Sequence, residues 1–292
     1  MSPKDLLIAS VVIVAWGVNF VVIKLGLHGV PPMLLGALRF ALAAVPVVFV
    51  KRPQIPLRWL FAYSLTISLG QFALLFYGMY VGMPAGLASL VLQAQAFFTL
   101  IFASMFLGER IRAANVAGLV IAAAGLALIG MRGGQAMTLA GFLFTLAASA
   151  MWALGNVATK RMGKVDLLSL VVWGSLIPPL PFLALSLIFE GLARIEVSLA
   201  SIPFVSVFVI LYFAFIATIV GYSLWGKLLA RYPAGSVAPF SLLVPVIGLA
   251  SAAVFLGEGL SAAQVVGAAL VMAGLVVNVF GARLVQRLLP AR

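Results

Sequence analysis

The chain has no cysteine, a single histidine (His28) and only six acidic residues among 292. Without cysteine there are no disulfides and no thiolate metal sites. One histidine gives no imidazole ligand set, so neither a metal nor any other cofactor is expected. The six acids, Asp5, Glu109, Asp166, Glu190, Glu196 and Glu258, all fall near the ends of apolar runs. They form no pair suited to general acid–base work. No Ser/His/Asp set accompanies them, and an enzyme is not expected. Charge of either sign is scarce, at 8% of residues, where soluble domains carry roughly 25%. A soluble chain of this length could not cover its surface with so few charges, so the outer surface must face lipid.

Apolar length is plentiful: 65% of residues are hydrophobic and the mean hydropathy is +1.25. A bilayer core ~30 Å thick takes ~20 apolar residues per helix. Barrel strands would alternate polar and apolar residues, which these runs do not. The sequence predicts an all-α integral membrane protein with ten transmembrane helices at 5–26, 31–50, 58–81, 84–107, 113–131, 138–160, 166–189, 202–226, 233–256 and 260–282. The first follows Met1–Asp5 directly, exceeds a signal-peptide core and is read as a permanent span. The net charge of +12 does not point to nucleic acid, because the basic residues sit at span ends. With the N-terminus inside, the inner set is Lys4, Lys51, Arg52, Arg58, Arg110, Arg112, Lys160, Arg161, Lys164, Lys227, Arg231, Arg283, Arg287 and Arg292, fourteen in all. The outer set is Lys24, Arg132 and Arg194. This asymmetry places both termini in the cytoplasm and predicts a multi-pass protein of the cell (inner) membrane.

The chain also repeats itself. Shifted by 149 residues, Pro84-Ala85-Gly86 matches Pro233-Ala234-Gly235, and Phe106-Leu107-Gly108-Glu109 matches Phe255-Leu256-Gly257-Glu258. Gly118 and Gly125 match Gly267 and Gly274, and 16 of the 43 aligned pairs from 84 to 126 are identical. Trp16, Asn19 and Lys24 are echoed by Trp152, Asn156 and Lys160. The predicted units are 1–134 and 135–292. Five spans is an odd number, so the second copy enters the membrane upside down. Inverted repeats of this kind mark secondary transporters, with the site at the repeat interface near the midplane.

Trp16-Gly17-Val18-Asn19-Phe20…Lys24, Pro31-Pro32…Leu38-Arg39-Phe40, and Leu107-Gly108-Glu109-Arg110 with its echo Leu256-Gly257-Glu258 resemble the EamA family of the drug/metabolite transporter superfamily. Within it the chain is similar to bacterial exporters of aromatic and other neutral amino acids. The resemblance implies a ten-helix basket around a central cavity. That cavity would be lined by the first, third, fourth and sixth helices with the eighth and ninth. It also implies export of small metabolites.

No acid lies inside a span, so a cationic solute is a poor fit and a neutral or zwitterionic one a better fit. Trp16 with Asn19, and Trp152 with Asn156, each share a helix face at three- or four-residue spacing. They could line a cavity or simply bond helix to helix. Gln71, Gln93 and Gln95 are amides deep in apolar runs and should avoid lipid. Gln93 shares a face with Phe97 and is preferred to Gln95, which points about 160° away. Tyr77 on the third span, Tyr212, Phe215 and Tyr222 on the eighth, and Ser241 on the ninth complete the expected substrate cavity. Lys24 is a candidate gate. Pro46, Pro178, Pro179 and Pro239 are candidate kinks or hinges.

Arg39 stands in mid-span with no intramembrane acid to meet it. Helix-end carbonyls, Glu258 and a substrate carboxylate are its possible partners, and the peripheral place of the second helix in the family basket favours a structural role. Glu109 and Glu258 are expected to cap or position the following helix. The expectation is a monomeric exporter of small neutral or zwitterionic metabolites, chiefly amino acids including aromatic ones. It would work by alternating access as a uniporter or exchanger. Alternatives are a nucleotide-sugar, phosphate-ester or drug carrier of the same superfamily, or a membrane scaffold.

Overall fold

The computed structural model describes residues 1–131, 137–232 and 234–288. Arg132, Pro233 and Arg292, the unit boundary at 134/135 and the side chains of Arg283 and Arg287 lie outside the described residues. Those described form helices and the short links between them: α1 (Pro3–Gly29), α2 (Pro32–Val48), α3 (Leu57–Tyr80), α4 (Ala85–Leu107), α5 (Ala113–Met131), α6 (Leu139–Met162), α7 (Leu167–Gly174), α8 (Pro179–Phe189), α9 (Leu192–Ala200), α10 (Phe204–Arg231), α11 (Ala234–Val237), α12 (Val244–Leu256) and α13 (Ala262–Leu288).

Eight of these are long and apolar enough to cross a bilayer: α1, α3, α4, α5, α6, α10, α12 together with the turn before it (Pro239–Leu256), and α13 over Ala262–Gly281. α7 and α8 make one further span if taken together, bent by 41° where Pro178 and Pro179 interrupt the helix. α2 is shorter, and Pro46 sits in the 3-10 turn Val45–Val48 at its end. Thus the expected second and seventh spans are the irregular ones. Large apolar side chains such as Phe49 and Phe204 stand 88% and 86% exposed, as a lipid-facing surface requires.

Short links need sharp stops. Gly108 and Gly257, equivalent in the repeat, end α4 and α12 in the left-handed region, with φ of 70° and 65°. A side chain there would be strained. Thr138 and Asp166 cap α6 and α7 by accepting from the N–H of Gly141 and Ser169. Two features had no sequence signal. α9 is an amphipathic helix in a link, with Ile195 buried and Leu192 and Val197 exposed. α3 and α10 each pass through a π-helical stretch, at Ser64–Gly70 and Tyr212–Val220.

The two matched units cross through glycine. α5 packs along α13. A Cβ on Gly118 would lie 2.6 Å from the Gly274 carbonyl oxygen, and one on Gly125 would lie 2.6 Å from that of Gly267. The 149-residue shift turns the first contact into the second, so the crossing has twofold character. Elsewhere α1 packs on α12 and α10, and α6 on α4 and α3. α1 corresponds to α6, and α12 to α4, so these pairings are also equivalent.

Candidate functional site

Acids and bases gather at the two ends of the bundle. At one end Asp5 is held by Arg231 at 2.7 Å and by the Tyr232 hydroxyl at 2.7 Å. Lys160 pairs with Glu109 at 2.7 Å, and Arg161 donates to the Phe106 carbonyl. At the other end Glu258 does not cap its own following helix. Its two oxygens accept from the N–H of Ala85 (2.8 Å) and Gly86 (2.9 Å) at the start of α4. Glu190 likewise accepts from Met33 (2.6 Å) and Leu34 (3.1 Å) at the start of α2. A carboxylate is favoured there by the unpaired amides and the helix dipole. Lys24, the candidate gate, donates to the Met79 carbonyl at 3.1 Å at this same end.

Between the ends, polar groups meet across helices. Trp16 leans on α10: its Nε1–H donates to the Ala217 carbonyl at 3.0 Å, and its ring lies 5.4 Å from both Tyr222 and Trp225. The Tyr212 hydroxyl answers by donating to the Ala15 carbonyl at 2.7 Å. α1 and α10 are therefore pinned by two reciprocal bonds. Asn156 donates to Gln95 Oε1 (2.9 Å) and Thr99 Oγ1 (3.1 Å) on α4. Gln93 donates to the Ser241 carbonyl at 3.5 Å, in the 3-10 turn that also holds Pro239. The two glutamines thus face different neighbours, and Gln95 rather than Gln93 meets Asn156. The Asn19 Oδ1 is buried without a donor.

The remaining expected residues do not all converge. Trp152 packs between the main core and a smaller cluster of Leu60, Tyr63, Ile67, Leu170 and Val171, which Tyr222 also touches. Gln71 is buried. Phe97 lines a lateral apolar groove with Phe98, Ile101, Leu119 and Phe142, away from the contact of Gln93. Tyr77 stands edge-on to Phe144, with centroids 5.0 Å apart, and is 37% exposed. Phe215 is 39% exposed.

Arg39 has a different environment from the one the sequence suggested. Glu258 is occupied by Ala85 and Gly86, so it is not the partner of this arginine. The guanidinium sits among Phe72, Phe213 and Phe40, its carbon 3.8, 4.9 and 5.2 Å from the three ring centroids. Its surroundings could not be read from one sequence, because the three rings come from three helices.

A multi-helix bundle with lipid-facing sides, its acids at the ends, and polar groups with one arginine pooled within defines a membrane carrier of small molecules. The family model for the EamA-like transporter family matches residues 4–131 and 139–280, and the chain belongs to that family. It is 52% identical, over 97% of both chains, to a protein of Salmonella typhimurium named "Probable amino-acid metabolite efflux pump". An Escherichia coli protein of the same name is 50% identical over the same shares. A "Probable terminal-alkyne amino-acid exporter" of Streptantibioticus cattleyicolor is 28% identical over 90% of this chain and 89% of its own. A crystal structure at 20% identity superposes with a TM-score of 0.63 over the full length of both chains, a likeness of fold.

Proposed function

We propose that this chain exports amino acids and small zwitterionic derivatives from the cytoplasm. The observation that carries the reading is the polarity of the interior. It holds amides (Asn19, Gln93, Gln95, Asn156) and a Trp16–Tyr222–Trp225 cluster, with no carboxylate among them. Amides donate and accept, which suits an ammonium and a carboxylate together. The rings suit an apolar side chain. The printed names of the two relatives matched over 97% of the chain agree with this chemistry. A phosphate-ester carrier would want several free basic groups inside, and Lys24 is already engaged with Met79.

In this reading α2 and the α7–α8 pair also cross the membrane, giving ten spans in two inverted units, 1–134 and 135–292. Both termini are cytoplasmic and the membrane is the inner one. The units rock by alternating access around the midplane, as a uniporter or exchanger, with the proline breaks of α2, α7–α8 and the turn before α12 absorbing the bend. Trp16, Asn19, Gln71, Gln93, Trp152, Asn156, Tyr212, Tyr222 and Ser241 line or support the path. Phe97, Tyr77 and Phe215 stand further from it. The test is flux from proteoliposomes loaded with labelled amino acids, sugar phosphates or organic cations, with and without a pH gradient. Amino-acid flux that follows the solute gradient supports the reading. Flux of organic cations alone, driven by pH, overturns it.

A further inference from the structure

Arg39 is 4% exposed, and its Nε and Nη1 are buried with no hydrogen-bond partner. The acids that could neutralise it are committed elsewhere. Asp5 holds Arg231, Glu109 holds Lys160, Asp166 caps α7, and Glu190 and Glu258 cap α2 and α4. Glu196 is exposed in α9. The three phenyl faces attract the cation, but they give Nε and Nη1 no hydrogen-bond acceptor, and a buried ion is offset only when its remaining protons are satisfied too. The cage therefore leaves the guanidinium short of partners.

An ionisable group held this way inside a membrane bundle marks a ligand path. Two further observations point the same way. Arg39 lies between α3 and α10, at Phe72 and Phe213, and these are the two helices with π-helical stretches, a distortion frequent at functional sites. It is also within electrostatic reach of Tyr222, whose ring joins the Trp16 cluster. The geometry points to Arg39 as the subsite for the substrate's carboxylate. Its free N–H groups donate to the carboxylate oxygens, while the side chain of the solute rests on Trp16, Tyr222 and Trp225. The inference rests on the amino-acid reading above and deepens it.

The test compares L-leucine and L-phenylalanine with L-leucinamide and L-phenylalaninamide in proteoliposomes, with protein-free vesicles as blank. Wild type is expected to carry each acid at least tenfold faster than its amide. R39Q and R39K are expected to bring acid and amide to parity by slowing the acid. Equal rates for acid and amide in wild type overturn the carboxylate subsite and leave the amino-acid reading intact, and this arm needs no variant to fold. Undiminished acid flux in R39Q also overturns it. No flux of either pair in wild type overturns the amino-acid reading itself.

Discussion

Glu190 closes the first turn of a helix 157 residues earlier in the chain, and Ser186 donates to the same carboxylate. Charge-assisted bonds to backbone amides are worth about 1.5–3 kcal/mol each when buried. E190Q should therefore lower the thermal midpoint in detergent by several degrees, followed by heating and size-exclusion fluorescence. Replacing the exposed Glu196 should leave it unchanged. That acids cluster at span ends was legible from the sequence. Which helix each one caps was not, because Glu190 and Glu258 reach across the bundle rather than along the chain. Trp16 and Tyr212 carry a related lesson. For Trp16 the spacing left cavity lining and helix-to-helix bonding both open, and it did not show that both polar tips would meet backbone carbonyls of the other's helix. W16F should lose one such bond, about 0.6 kcal/mol on average in a membrane, while keeping most of its ring packing. It should cost little stability in the same assay.

At the scale of the element, hydropathy found the long helices, because a bilayer makes every backbone polar group pair within its own segment. It overstated the regularity of α2 and of the α7–α8 pair, where Pro46, Pro178 and Pro179 remove amide donors. Changing Pro178 and Pro179 together to Ala should straighten the 41° bend and slow transport several-fold at unchanged helical content, compared by circular dichroism and vesicle flux. An unaltered rate would remove the hinge. The π-helical stretches of α3 and α10 left no trace in the residue pattern, since they arise where a helix accommodates neighbours. The glycines of α5 and α13 were visible as a repeat, but the sequence did not show that each meets the other's partner. Gly125→Val would drive a branched side chain into the Gly267 carbonyl, 2.6 Å from the Cβ position. It should abolish folded protein, measured as the monodisperse yield in detergent.

At the scale of the whole molecule, the basic residues predict orientation. Single cysteines at Arg110 and Arg161 should label from one face of the membrane, and one at Gly82 from the other. The polar contacts Trp16–Ala217, Gln93–Ser241 and Asn156–Gln95 each join residues far apart in the chain. Gln95 and Thr99, which the sequence reading did not favour, meet Asn156, while Phe97 lines an apolar groove.

The crossing of α5 and α13 has a consequence for tolerance to change. Gly118 meets Gly274 and Gly125 meets Gly267, so the face that one helix offers is the face that the other returns. A side chain added at any of these four glycines meets a carbonyl of the facing backbone, and a compensating change on the partner has nothing left to remove.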